Sequence, residues 1–128
     1  MAQILIDGSV VVPNGPKALI KTTITVEAYD RVDVLLPAGS DKLEIEAPPG
    51  SADTTLFLLI GSDWYGPELS YQLDSGAGVS FVLDAPLLLA GKGAVSFYYS
   101  QKPKKLLFKN TKDKDANIPI LVGRDATP

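Results

Sequence analysis

The side chains that most enzymes use for acid–base and nucleophilic chemistry are scarce in this sequence. Its 128 residues include no His and no Cys, which removes the commonest general base, the commonest metal ligand and every thiolate. Paired carboxylates remain: Asp30 and Asp33 flank Arg31, and Glu44 and Glu46 fall on one face of a predicted strand. Two acids that flank a cleft are enough for a glycosidase. Because a chain with 15 acidic residues contains such pairs by chance, a glycosidase is only a minor alternative, and we predict no catalytic residue.

Two short motifs begin like ligand-binding loops and then fail. Residues 113–117 match the first half of an EF-hand calcium loop, but Ile118 stands where the loop needs Gly and Arg124 where it needs Glu. Residues 91–93 begin a glycine-rich dinucleotide motif that lacks its third Gly, and we expect a hairpin turn there rather than a helix start. The sequence therefore predicts neither a metal nor a cofactor.

An aromatic cluster is the most distinctive local feature. Asp63, Trp64 and Tyr65 lie together in a loop-like stretch that contains the single Trp of the chain, and Tyr71 follows closely. If exposed, these four residues are candidates for a recognition surface on which a glycan stacks. Burial or a subunit contact is the interpretation we favour, because large aromatic side chains are mostly buried or at interfaces.

One basic segment contrasts with an acidic chain. Residues 101–115 carry six Lys and two Asp, a net +4, so a total charge of −3 leaves −7 for the remainder. A solvated strand edge is one explanation, since edge lysines discourage unwanted strand pairing; complementary contact between copies is the other. Nucleic acid is not expected, because the acidic remainder of the chain repels phosphate. The candidate assembly surface comprises Lys102, Lys104, Lys105, Lys109, Lys112 and Lys114.

Apolar residues alternate with polar ones along much of the chain, which is typical of half-buried strands. The clearest case is residues 17–28, where Ile20, Ile24 and Val26 share one face. The continuous apolar run 55–60 predicts a central strand covered on both faces, or one at an oligomer interface. The sequence thus predicts about nine short strands among ten candidate segments, which are 3–12, 17–28, 31–36, 42–47, 55–60, 70–73, 79–83, 94–99, 105–110 and 118–122.

Two segments carry further expectations. Residues 84–90 stay unassigned, because Pro86 disfavours a central strand and three Leu follow it. Tyr98 and Tyr99 are adjacent in the predicted strand 94–99 and so would point to opposite faces. At least one of these tyrosines would then leave the core, as expected near an interface.

Turn signals rich in Gly, Pro, Asp and Asn separate the strand candidates. This arrangement predicts one all-β domain over residues 1–128, an antiparallel β-sandwich or jelly roll, with a small β-barrel as the alternative. The strand-like ends, residues 1–12 and 117–128, are predicted to be arms that pair with a neighbouring sheet edge.

These features favour a structural, self-associating β-module, a homo-oligomer within a larger protein assembly such as a virion or an appendage. A carbohydrate- or protein-recognition module that uses Trp64 and Tyr65 is the alternative. No apolar run is long enough to span a membrane, and no secretory signal begins the chain. We therefore expect synthesis in the cytoplasm without a signal peptide, possible incorporation into a virion, and no membrane partner.

Overall fold

Two antiparallel four-stranded sheets pack face to face in the computed structural model, which describes residues 2–46, 53–73, 80–100 and 103–125. A two-stranded hairpin and one short helix complete these residues. The predicted β-sandwich is confirmed, and the barrel alternative is wrong because the sheets do not close. In chain order the elements are β1 (Ala2–Val11), β2 (Lys17–Val26), β3 (Ala28–Leu36), β4 (Leu43–Glu46), β5 (Thr55–Ile60), β6 (Leu69–Leu73), β7 (Ser80–Val82), β8 (Leu87–Ala90), α1 (Lys92–Tyr99), β9 (Lys105–Asn110) and β10 (Ala116–Arg124).

The strand order explains which segments are central. The first sheet has the order β3-β10-β5-β8, and the second has the order β4-β9-β6-β7. Residues of both sheets form one core, in which Leu58, Ile120 and Phe108 are almost fully buried. The prediction for Thr55–Ile60 is confirmed, since β5 lies between β10 and β8.

The segment predicted as a strand at residues 94–99 belongs to a helix instead. Gly91 has a φ of 86°, a left-handed conformation that glycine adopts without strain, and α1 begins at the next residue. Val95 and Tyr98 lie three positions apart, which places them on one side of the helix, and both are buried. The expected hairpin turn at residues 91–93 is therefore also wrong, because those residues start the helix.

The unassigned segment contains an edge strand. Leu87–Ala90 pairs with β5 and has no second strand neighbour among the described residues, and Pro86 comes directly before it. That position fits a proline, which cannot donate a hydrogen bond to a sheet. No helix among the described residues is long and apolar enough to cross a membrane.

The C-terminal strand belongs to the core and is not an arm. β10 pairs with β3 on one side and with β5 on the other. Ile118, Ile120 and Val122 alternate toward the core and are almost completely buried. The prediction of an arm at residues 117–128 is thus wrong for residues 117–124, because their apolar face is covered within the chain. Residues 126–128 lie outside the described part.

Candidate functional site

The β1–β2 hairpin extends away from the sandwich. Its strands pair with each other in continuous register, from Ala2 opposite Val26 to Val11 opposite Lys17. Every residue from Asp7 to Thr23 is exposed. We call residues 2–26 the arm and residues 7–23 its distal part. The predicted N-terminal arm at residues 1–12 is therefore one half of this hairpin, paired within its own chain, while Met1 lies outside the described residues.

Both faces of the distal part expose apolar side chains. Val10 and Ile20 lie on one face, with 57% and 42% of their surface exposed. Leu19 lies on the other face, opposite Ser9, and is 77% exposed. Residues 10–16 include no charged side chain. Exposed apolar surface of this extent marks an interaction site more often than a solvated one.

The tip of the arm is a well-defined turn. Val12 N donates to Pro16 O at 2.9 Å, and Gly15 N donates to Val12 O at 2.8 Å. Asn14 has a φ of 60°, a left-handed conformation that asparagine tolerates better than most residues. The turn therefore holds the two strand ends, with their apolar side chains, in one fixed register.

Close packing anchors the base of the arm on the first sheet. A Cβ atom at Gly123 would lie 2.6 Å from Ile4 Cδ1 and 3.0 Å from Val26 Cγ1, so a larger residue would have to displace these two side chains. Next to this contact, Arg124 Nε donates to Asp30 Oδ2 at 2.9 Å in a partly buried ion pair. The base is thus covered by its own chain while the distal part is not.

The aromatic loop does not form an open stacking platform. Trp64 is half-buried, and its Nε1 donates to Asp115 O at 2.8 Å. Lys112 Nζ lies 5.1 Å from the centroid of the indole ring, in a cation–π contact. The hydroxyl of Tyr65 accepts a hydrogen bond from Ser62 N at 3.0 Å. These contacts tie the loop to the segment before β10.

The other two residues of the candidate recognition surface are separated from each other. Asp63 Oδ1 accepts a hydrogen bond from Asn117 N at 3.0 Å. The hydrogen bonds from Asn117 hold the pKa of the Asp63 carboxyl below its ordinary value. Tyr71 is buried in the core, where its ring stacks on Phe81 with centroids 5.6 Å apart. The structure therefore does not bring the four predicted residues together on one exposed surface.

The lysines of the candidate assembly surface are spread over a strand and the turn after it. Lys105 and Lys109 lie on β9, an inner strand of the second sheet, so the strand-edge explanation is wrong for them. Lys105 Nζ contacts Glu44 at 2.6 Å, and Lys109 Nζ contacts Asp41 at 3.7 Å. The Lys105 charge and hydrogen bond lower the pKa of the Glu44 carboxyl. These two lysines therefore have acidic partners within the chain.

The remaining described lysines of the candidate assembly surface differ in their surroundings. Lys112 covers the Trp64 ring, and the positive charge of Lys114 helps to lower the pKa of Asp63. Lys104 is exposed, and Lys102 lies outside the described residues.

Three of the four paired carboxylates noted in the sequence are engaged with cations. Asp30 pairs with Arg124, Asp33 with Arg31 at 3.2 Å, and Glu44 with Lys105. Across the described residues, no group of three or more acidic side chains could hold a metal ion.

A cleft that the sequence did not predict opens between the two sheets. It has a volume of about 290 Å³ and lies where the edge strands β7 and β8 face each other beside α1. The sequence does not indicate this cleft, because the residues that form its helical wall have the pattern of a strand. The lining residues are Tyr71, Leu73, Phe81, Leu87, Leu89, Phe97, Tyr98 and Ser100.

Tyr98 gives the cleft one unusual polar group. Its hydroxyl is buried and has no hydrogen-bond partner among the residues that the structure describes. Burial raises the pKa of this phenol, and the neighbouring Tyr99 adds to the shift. The hydroxyl of Tyr99, by contrast, shares a hydrogen bond of 2.9 Å with Thr55 Oγ1. The two adjacent tyrosines therefore differ in whether their polar ends are satisfied.

Comparison with known proteins does not extend this description. No protein-family model matches the chain, and no curated protein matches its sequence.

Proposed function

We propose that the chain is a structural, self-associating β-module, a subunit of a homomeric assembly such as a virion or an appendage. One observation carries the proposal: the distal part of the arm presents Val10, Leu19 and Ile20 to solvent on a ribbon that its own domain does not cover. The distal part of the arm has five residues in β1 and seven in β2, which corresponds to a length of about 17–23 Å. A projection of this length can reach well into a neighbouring molecule.

The energetic argument concerns what stabilises a free ribbon. An isolated two-stranded hairpin is at best marginally stable in water, because it has no core. Transfer of one large aliphatic side chain from full exposure to an interior contributes roughly 1.5–3 kcal/mol. Burial of the exposed parts of Val10, Leu19 and Ile20 against another copy would therefore contribute several kcal/mol and would also order the arm.

The alternative recognition module receives less support. A stacking platform needs an accessible aromatic face, whereas Lys112 lies over the Trp64 ring and Asp115 holds its N–H. An enzyme receives less support still, since the cleft is lined by no carboxylate and Asp30, Asp33 and Glu44 of the predicted acid pairs sit in ion pairs.

The test compares two exposed leucines that lie on strands. Leu19 is on the distal part of the arm, and Leu35, 57% exposed, is on β3. Leu19→Thr keeps a residue that favours strands while it removes apolar surface. Sedimentation velocity over a dilution series should show that Leu19→Thr raises the dissociation constant of the oligomer about tenfold, since about 1.4 kcal/mol is a factor of ten.

Leu35→Thr is the matched control and should leave the dissociation constant within about twofold of the wild type, because surface substitutions away from an interface change energies little. A wild-type chain that stays monomeric at roughly 0.1 mM, where even weak complexes with Kd near 1 μM are saturated, would overturn the proposal. Equal effects of the two substitutions would overturn the role of the arm.

A further inference from the structure

The cleft between β7 and β8 is an incomplete part of the core. Phe81, Leu87 and Leu89 pack against the buried core cluster but remain only partly buried. β7 and β8 are the last strands of their sheets, so no described strand closes the sandwich on this side. Apolar side chains thus line an opening where a further element would normally lie.

The arm and the cleft share an unusual chemical character. The lining of the cleft contains no charged residue, and neither do residues 10–16 at the tip of the arm. Elsewhere the chain is rich in charge, with 12 basic and 15 acidic residues. An apolar tip without charge therefore exists on the same molecule as an uncharged apolar opening, which is the complementarity that association by burial requires.

The hydroxyl of Tyr98 requires a hydrogen-bond partner, which an aliphatic side chain alone would not provide. Tyr98 is 6% exposed and lines the cleft, and its hydroxyl lacks a partner among the described residues. β1 and β2 pair only with each other, so the outer edge of each strand carries peptide N–H and C=O groups without a strand partner. An arm that enters the cleft brings such groups together with its aliphatic side chains.

We infer that the cleft between β7 and β8 receives the distal part of the arm from a second copy of this chain. The inference rests on the proposed function and names the acceptor site for the arm. Val10 and Ile20, which share one face of the ribbon, enter the apolar opening, and a peptide group on the outer edge of the ribbon partners the Tyr98 hydroxyl. Because donor and acceptor are different surfaces, copies join head to tail and form a closed ring or an open filament.

The first variant blocks the cleft without disturbing the core. Phe97 lines the cleft but is 75% exposed on α1, so Phe97→Glu is compatible with folding. It places a charge where the apolar side chains of the arm must pack. Leu88→Glu is the matched control, because Leu88 lies on β8 between Leu87 and Leu89 and is not part of the cleft lining. Circular dichroism should show that both variants fold.

The second variant shortens the arm. Residues 9–19 are replaced by Asn-Gly, the dipeptide that best connects two strands in a two-residue turn, so that Gly8 and Ile20 remain opposite each other. This variant keeps its cleft and loses the tip of its arm, whereas Phe97→Glu keeps its arm and loses its acceptor.

The decisive experiment mixes the two variants and measures mass by light scattering. Each variant alone should be monomeric, and the equimolar mixture should form a species of two chains, because one supplies the arm and the other the cleft. The control Leu88→Glu should assemble as the wild type does. Tyr98→Phe, introduced into the shortened-arm variant, should raise the dissociation constant of the mixed species about two- to tenfold, the range of one ordinary hydrogen bond.

Four outcomes would overturn the inference, and they differ in what they leave standing. Assembly of Phe97→Glu with wild-type affinity, while the shortened arm stays monomeric, would show that the arm docks elsewhere and leave the proposed function intact. A mixture that remains monomeric would have the same meaning. The wild type could instead bind anilinonaphthalene sulfonate with an increase in dye fluorescence. If Phe97→Glu abolished that fluorescence without any change in assembly, the cleft would be a site for a small apolar molecule. A monomeric wild type would remove the proposed function and this inference together.

Discussion

The anchor of the arm can be tested by adding one methyl group. Gly123→Ala places a Cβ 2.6 Å from Ile4 Cδ1, 3.0 Å from Val26 Cγ1 and 3.3 Å from Phe57 Cβ. Carbon atoms prefer a separation of about 3.5–4.0 Å, so the arm or the sheet must move. The flexible end of Ile4 can rotate away, but Val26 and the backbone-proximal Cβ of Phe57 have less freedom.

The expected cost follows from two opposing contributions. Overpacking of this kind destabilises by about 1–3 kcal/mol, whereas replacing a strand glycine by alanine gains about 0.5–1 kcal/mol through the unfolded chain. Overpacking dominates, and Gly123→Ala should lower the free energy of unfolding by about 1–2 kcal/mol. For a domain of 128 residues, that difference lowers Tm by about 4–8 °C.

Urea denaturation followed by circular dichroism measures the difference, with two further variants for comparison. Gly8→Ala is the matched control, because no atom lies within 4 Å of a Cβ at that position; it should be neutral or slightly stabilising. Ile4→Val removes the Cδ1 atom that the added methyl group would strike, so Gly123→Ala should cost less in that background, with a coupling energy of about 1 kcal/mol between the two sites. If Gly123→Ala proved as stable as Gly8→Ala, the arm would not be anchored by this contact.

Three further substitutions probe other contacts. Asn110→Ala should lower the free energy of unfolding by about 2–4 kcal/mol in urea titrations, because the buried Asn110 Nδ2 donates to Lys114 O at 2.7 Å and its loss leaves buried carbonyls unpaired. Asp63 has a lowered pKa in the folded chain through hydrogen bonds from Asn117, so its contribution is complete above the ordinary carboxyl pKa of 3.8 and disappears as pH falls through the lower folded value. Asp63→Asn should therefore flatten stability against pH between about 5 and 2, and an unchanged slope would contradict this linkage. Tyr98→Phe should leave the monomeric shortened-arm chain equally stable or about 1 kcal/mol more stable, since it removes a buried hydroxyl without a partner among the described residues; a clear loss of stability would mean that the hydroxyl is satisfied.

Where the core belongs to one chain, the sequence pattern was a reliable guide. The apolar run Thr55–Ile60 forms a central strand with the predicted bounds, and Lys105–Asn110 does the same in the other sheet. Both strands bury most of their residues. The pattern of apolar residues indicates which residues are buried, and in these two segments the buried residues form a strand of this chain.

The helix α1 could not be predicted because its local preferences oppose its conformation. Val95, Phe97, Tyr98 and Tyr99 are all residues enriched in strands. The helical signal amounts to one buried pair, Val95 and Tyr98, and is shorter than three turns. Contacts with the rest of the domain stabilise the helix. Because α1 forms one wall of the cleft, the sequence pattern did not predict the cleft either.

The arm shows a different reason for error. Ile20, Ile24 and Val26 alternate as in any half-buried strand, and the sequence predicts one covered face. In the structure only Val26 is buried and Ile24 is half-buried, while Ile20 is exposed. Alternation of apolar and polar residues indicates that one face of a strand is covered, but not which molecule covers it. The pattern is therefore the same for a core strand and for a strand that docks on another copy.

The mass of the wild-type chain in solution, measured by light scattering after size exclusion at about 0.05 M and 0.5 M salt, tests the central claim most directly, because screening of surface charge changes strongly over this range. The account predicts an oligomer at both salt concentrations, since apolar burial by the arm is not screened. The variant with residues 9–19 replaced should be monomeric at both. A wild-type chain that is monomeric throughout would contradict the account, and an oligomer that dissociates only at high salt would shift the contact from the arm to charged residues such as the lysines of residues 104–114.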